Sequence, residues 1–472
     1  MEPSCSPSSE VPLLPNDFCR YLPQACNQLQ LKSDVIITKI VQDEYISMVA
    51  AGKIKKGKSR AKLVQSRTDV GSDQDADEKS ICALQTISAD SQAVRINATF
   101  DTEDNLVQLE FIKNKYIIPR QLWKIIALII KFYPYLTKVS LDSGFDQFAI
   151  YEIHKMLPFS RITQIDLCNS YVPQANYYIL LDNETNLQHL SLSRCRLDDD
   201  AFEMITLRLV FPLPASNKLR SLNLSSNSIT DKGITSLANA LRSNRKLCYL
   251  NLSDNRISDN GAQLIFKTLL EFPITSEEIV GVKSRHLAFL KKKDEMIKKL
   301  LIDLKISDLD KKKKKASKPT VVPSSAKKKL DKESSLKCMI DTFTNLNLES
   351  ALYEKAVNIA NSEMSEFTDP YSSDNTYLND GVTYCRGNNE LCYLNLSYNN
   401  LSNLSMKILL KVLIYQDMIQ RTPKGLINVI VEGNPIPVPC EELQSIDDMI
   451  SIGFNSRRKM SVSKRRYSKI LK

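Results

Sequence analysis

The chain has 472 residues, 43% of them hydrophobic, a formal net charge of +10 and eleven cysteines. This is enough apolar content for a sizeable core. An odd cysteine count without a C-x-x-C pair speaks against a disulfide framework and for reduced thiols in or beside that core. The opening residues MEPSCSPSSEVPLLPNDF have neither a charged n-region nor an apolar h-region. The most apolar run, Trp123 to Leu136, is interrupted by Lys124 and Lys131 and is too short to cross a bilayer. A cytoplasmic protein without a membrane span is expected. Residues 281–335 hold 18 Lys/Arg against 7 Asp/Glu, and residues 457–472 hold 8 basic residues and no acidic ones. The rest of the chain is therefore acidic, at −9, and the basic charge belongs to two appendages.

In chain order, residues 1–90 are expected to be mostly disordered or irregular. Pro punctuates LLPNDFCRYLPQACNQLQL, SDVIITKIVQDEYISMVA reads as a strand or a short helix, and 53–80 has the composition of a linker. Gly52–Ser59 (GKIKKGKS) fits the formal phosphate-loop pattern G-x-x-x-x-G-K-S. That chemistry needs a buried strand before the loop and a helix after it. Here the loop interior is three lysines and a polar segment follows, so a solvated basic linker is the simpler reading.

Ala93 to Phe100 alternates in polarity and meets the turn DTEDN, which predicts a strand pairing back as an N-terminal cap. Repeats then follow. LRSLNLSSNSI from Leu219 and LCYLNLSDNRI from Leu247 fill every position of L-x-x-L-x-L-x-x-N-x-L. The same register places weaker units at Leu106, Leu136, Ile162 and Leu187. The starts are spaced by 30, 26, 25, 32 and 28 residues, room for a helix after each strand. TDKGITSLANALRSN, with Ile234, Leu237 and Leu241 at helical spacing, is such a helix. Asn227 closes the turn, where its amide can satisfy backbone groups of the next coil. The interval of 32 carries a small loop insertion, VFPLPASN. The pattern stops after the sixth unit and resumes at Leu391 and Leu426; LCYLNLS at 391–397 repeats 247–253 letter for letter. Isolated repeats cannot bury their apolar faces, so strand 391–396 is expected beside 247–252.

The domain reading is thus an irregular segment 1–90, a cap with six repeats over 91–272, a Lys-rich insertion over 273–388, two further repeats over 389–452, and a basic tail over 453–472. Within the insertion, Ser284 to Lys305 is predicted helical, 308–337 is low complexity and expected to be disordered, and 339–368 regains a helix.

LRSNRKLCYLNLSDNRISDNGAQLIFKTLLEF, the Lys-rich interruption, and then ELCYLNLSYNNLS with GLINVIVEGNP resemble leucine-rich repeat proteins of the ribonuclease-inhibitor type. Within that class they are similar to a family whose repeats are interrupted in this way. The resemblance implies an α/β solenoid, an arc with a parallel inner sheet and outer helices. It also implies no catalytic activity, and association with ciliated and flagellated cells.

The concave face follows from the register. Positions between framework residues are Ser/Asn-rich, and Tyr249 and Tyr393 become neighbours once the insertion is spliced out. The candidate protein-binding residues are Tyr249, Tyr393, Asn251, Asn395, Asn223 and His189, since aromatics on a polar face suit a binding hot spot. Shielding of the sheet is the plainer alternative for the tyrosines. The face is too poor in Lys and Arg to track a nucleic-acid backbone. His154, His189 and His286 are scattered and no HExxH or GxSxG occurs, so no enzyme, cofactor or metal is expected. Ser461 and Ser468 each follow an Arg by three positions and are candidate phosphorylation sites in the tail. The expected function is a protein–protein interaction scaffold at cilia or microtubules, held partly by the basic insertion and tail to an acidic or axonemal partner. The alternatives are a nuclear or nucleic-acid-associated regulator using the same lysines, and a nucleotide-binding protein acting through Gly52–Ser59.

Overall fold

The computed structural model describes residues 17–42, 93–182, 185–316 and 349–451. Gly52–Ser59, Ser461, Ser468, the Lys-rich stretch after 316 and the basic tail lie outside the described residues. The chain divides into two compact units, Met1–Glu271 with Gly387–Lys472, and Phe272–Arg386.

The first unit is built on a ten-stranded sheet. Its strands are β1 (Val35–Val41), β2 (Val94–Phe100), β3 (Leu106–Phe111), β4 (Lys138–Leu141), β5 (Gln164–Leu167), β6 (His189–Ser191), β7 (Ser221–Asn223), β8 (Tyr249–Asn251), β12 (Tyr393–Asn395) and β13 (Asn428–Ile430), paired in that order. Every pairing from β3 onward is parallel. Strand β12 therefore lies beside β8, with Tyr393 opposite Tyr249 and Asn395 opposite Asn251. The framework Leu and Ile of each strand turn under the sheet: Leu222, Leu250 and Leu394 are fully buried. Residues between them stay half-exposed, which is the two-residue period of a strand with one covered face. Helices Arg120–Ile129, Gln147–Met156, Asp199–Thr206, Asp231–Ser243, Asp259–Leu269 and Asn403–Ile419 follow the strands and bury their apolar stripes in the same core.

Strand β2 pairs antiparallel with β3, its Val94, Ile96, Ala98 and Phe100 buried. The expectation of an irregular 1–90 needs correction at 17–42. Phe18–Gln28 is a helix that sends Phe18, Leu22 and Cys26 into the core, and Phe18 meets Tyr133 edge-on at 5.3 Å. Asp17 accepts from the Arg20 amide as its N-cap. Strand β1 adds to β2 in parallel. Pro23 within the helix disguises it in the sequence. A second correction concerns the shortest interval, whose segment after β5 forms only a 3-10 stretch, Asn176–Leu181. A third concerns VFPLPASN, which is not plain loop: it ends in the helical turn Pro214–Lys218.

Three side-chain ladders fasten one coil to the next. Asn255 donates to the carbonyls of Leu224 and Leu252 at 3.1 and 3.0 Å and accepts from the Ile229 amide. Asn227, Asn399 and Asn434 repeat this pattern. At the fourth unit Cys195 replaces Asn, and its thiol donates to the Leu167 carbonyl at 2.9 Å. The second ladder joins helix starts: Asp199 accepts from the Thr230 amide and hydroxyl, Asp231 from those of Ser258, and Asp259 from those of Ser402. Asp259 also takes the Ser405 hydroxyl and amide. The third ladder runs beneath the strand starts, where Asn244 donates to the Leu209 carbonyl and Asn388 to the carbonyls of Leu241 and Asn244.

The second unit has its own sheet, β10 (Thr376–Asn379), β11 (Val382–Cys385) and β9 (Phe272–Pro273), all antiparallel. The turn Asp380–Gly381 has φ of 48° and 77°, as a two-residue hairpin of the primed type requires. Its helix runs Ser276–Ala316, starting earlier and ending later than the predicted 284–305. Correspondingly, residues 308–316 are helical rather than low-complexity coil, because lysines and Ala are good helix formers. A helix over 349–363 packs Ala356 and Ala360 on Ile297. Arg285 pairs at 2.7 Å with Asp369, whose side chain is fully buried, and the Tyr371 hydroxyl donates to Glu278 at 2.6 Å.

Candidate protein-binding face

The open face of the first sheet is made by the residues between framework positions. Strands β8 and β12 bring Tyr249 and Tyr393 into register, and their rings stack with centroids 4.1 Å apart and planes within 6°. Two rings held this way form one rigid aromatic block on a polar surface. Burial, followed by the hydrogen bond with Tyr393, pushes the Tyr249 phenol up to about 12. The Tyr249 hydroxyl therefore stays protonated at neutral pH, a donor as well as an acceptor.

The asparagines beside them are partly committed to their own turns. Asn251 accepts from the Ser253 amide at 3.0 Å, and Asn395 from the amide and hydroxyl of Ser397. Asn223 accepts from the Ser225 amide and donates to the Ser191 hydroxyl at 3.1 Å. These carbonyl oxygens end the strands, so what the asparagines offer a ligand is narrower than their number suggests. His189 is exposed on β6, between Gln164 and Ser221 in the register and separated from the tyrosine block by β7.

Three features near this framework are not evident from the repeat pattern. Cys168 follows β5; its thiol meets the Asp166 carboxylate at 2.6 Å and the Ser193 hydroxyl at 2.9 Å. Burial, with Asp166 adding to it, raises this thiol above its ordinary value, so it is a hydrogen-bonding group and not a ready thiolate. Tyr398, in the turn after β12, is 64% exposed. Its ring lies where a Cβ on Gly433 would have to go, and Gly433 holds a φ of 73°. On the helix side, Arg120 sits over Phe148 and Tyr151, both a little under half exposed, and pairs at 2.6 Å with the buried carboxylate of Glu152. Helical spacing of Phe148, Tyr151 and Glu152 was the available signal, but nothing in it pointed to Arg120. A cleft of about 340 Å³ opens among the loops carrying Tyr116, Ile117, Tyr171 and Pro173. Among the described residues no group of three His, Cys, Asp or Glu is arranged to hold a metal ion, and no helix is long and apolar enough to cross a membrane.

Residues 183–205, 215–238 and 243–266 each match the family model described as Leucine Rich repeat. The chain carries leucine-rich repeats. Each matched stretch takes in one of β6, β7 and β8 with the beginning of the helix that follows. No curated protein matches the chain. Leucine-rich repeats are modules that typically serve protein–protein interaction without catalysis, and the face above is of that kind: polar, rigid and with an aromatic centre.

Proposed function

We propose that this chain is a non-catalytic scaffold that binds a protein through the concave face of its repeat solenoid, with Tyr249 and Tyr393 as the anchor. The stacked pair carries the reading. Aromatic residues that are rigid before binding lose little conformational entropy on contact and dominate the energetics of such surfaces. The neighbouring strand positions are Ser and Asn, so the partner surface is neutral and hydrogen-bonding where it meets the block. The finer reading places the scaffold at microtubule-based structures of cilia, the basic insertion and tail adding salt-sensitive attachment to an acidic surface. The interrupted layout supports it by its similarity to leucine-rich repeat-containing protein 71, which is associated with ciliated and flagellated cells.

Proximity labelling in a ciliated cell tests both parts. The wild-type chain should label a defined partner set, and Tyr249→Ala/Tyr393→Ala should lose the strongest members while staying folded by circular dichroism. An unchanged set in the folded variant refutes the face. Removal of 306–337 and 457–472 should weaken microtubule co-sedimentation; unchanged co-sedimentation refutes the electrostatic attachment.

A further inference from the structure

Cys248 and Cys392 stand one residue before the adjoining strands β8 and β12 of the first unit, although 144 positions separate them in sequence. The amides of Cys392 and Tyr393 both donate to the Cys248 carbonyl, at 2.8 and 2.9 Å, which makes the two cysteines lateral neighbours. Their side chains take the same course. The Cys248 thiol donates to the Lys246 carbonyl and the Cys392 thiol to the Glu390 carbonyl, each at 3.2 Å. Both are reduced and half-buried, unlike Cys26, Cys195 and Cys385, which are enclosed. Adjacent strands lie about 4.8 Å apart, inside the roughly 4.4–6.8 Å between Cα atoms that a disulfide spans. A disulfide also needs the Cβ atoms within about 3.5–4.5 Å, so closure takes a small approach of the two strand starts together with rotation of each thiol off its carbonyl.

We propose that Cys248 and Cys392 are a dithiol modification site, oxidised to an intrachain disulfide by low-molecular-weight disulfides of the glutathione type. The thiolate of one cysteine attacks a sulfur of the oxidant, forming a mixed disulfide and expelling one small thiolate. The second cysteine, its proton released to solvent, attacks the protein-side sulfur and expels the other. One sulfur–sulfur bond of the oxidant breaks and one forms in the protein. The protein loses two hydrogen atoms and the oxidant becomes two thiols. The product ties β8 to β12 one residue before the stacked tyrosines and closes covalently a loop that contains the whole 272–386 unit. Burial, with the Glu390 carboxylate adding to it, raises the Cys248 thiol, so the reaction is slow at neutral pH and accelerates as pH rises. This chemistry depends on the strand register and not on what the face binds.

The test uses the full-length protein, oxidised glutathione, alkylation of remaining thiols, and peptide mapping without reductant. The expected product is a linked peptide pair containing Cys248 and Cys392, forming faster at higher pH and reversed by a dithiol reductant. In Cys248→Ser or Cys392→Ser the remaining cysteine should instead be alkylated or carry a glutathione adduct, while Cys168→Ser should leave the linked pair intact. Phenylarsine oxide, which bridges two neighbouring thiols, should protect both cysteines from alkylation in wild type and neither in the single variants. If both cysteines of the folded chain end as separate adducts or are fully alkylated, and the arsenical protects neither, the proposal is overturned. That result would leave the partner-labelling experiment above unaffected.

Discussion

The junction between β7 and β8 is made by consecutive chain, whereas the junction between β8 and β12 brings together strands with a folded unit threaded between them. Their chemistry is nonetheless the same. Asn255 reaches the Leu224 carbonyl across 31 positions, and Asn399 reaches the Leu252 carbonyl across 147. Asp231 holds Ser258 across 27 positions, and Asp259 holds Ser402 across 143. Treating the interruption as a flexible loop, a fivefold longer closure costs about 1.5 kcal/mol. Each net hydrogen bond offsets about 1 kcal/mol, and the interrupted junction carries several, so contact chemistry and not chain proximity determines where the stack continues.

The strongest way to break this comparison is to remove the same rung from both junctions. Asn255→Ala and Asn399→Ala each leave buried carbonyls and an amide without partners, at about 1–3 kcal/mol per orphaned group. Both should destabilise the first unit by about 3–5 kcal/mol in denaturant unfolding, and by similar amounts. A much smaller loss for Asn399→Ala would show the β8–β12 junction to be the looser. Next in size, Asp231→Ala and Asp259→Ala remove helix-start acceptors and should each cost about 1–2 kcal/mol. Burial opposes ionisation of Asp259, but the hydrogen bonds from Ser402 and Ser405 outweigh it and hold the carboxyl below its ordinary value. Its contribution is therefore complete above the unfolded value of about 4 and disappears as pH falls through the lower native one. Wild type and Asp259→Ala should converge in stability toward that acid end.

Smaller effects sharpen the account at the tyrosines. A double-mutant cycle of Tyr249→Ala and Tyr393→Ala should show a coupling of about 0.5–1.5 kcal/mol, the value of a stacked pair beyond its buried area. Absorbance titration should find the Tyr249 phenol ionising near 12 rather than 10, with Tyr393→Phe drawing it back toward the ordinary value. Because the native value is raised, this group's contribution to stability is whole below about 10 and is lost as pH rises through about 12.

The repeat period carried much of this architecture in plain view. Leu222, Leu250 and Leu394 recur at fixed offsets, so strand centres, the Asn227-type turn and the juxtaposition of Tyr249 with Tyr393 all follow from one register. What the sequence hid lay outside that period. Asp199, Asp231 and Asp259 look like ordinary acidic residues at helix starts, and only the packed helices reveal that each caps its neighbour. Pro23 masked a helix that is tied down by Phe18 and Leu22. Asp380–Gly381, between TYLN and VTYC, is a hairpin signal that lay beyond the repeat register inside the interruption. At the face itself, sequence indicates which residues point outward but not that Asn251 and Asn395 spend their carbonyl oxygens on Ser253 and Ser397.

Native-state hydrogen exchange at two amides measures the continuity of the stack most directly. The Tyr249 amide donates to the Arg220 carbonyl at 3.0 Å within the uninterrupted repeats, and the Tyr393 amide donates to the Cys248 carbonyl at 2.9 Å across the interruption. The two should exchange with matching protection, close to that of global unfolding of the first unit. Rapid exchange at Tyr393 alongside slow exchange at Tyr249 would contradict a stack that continues through β12, and with it the paired-tyrosine face.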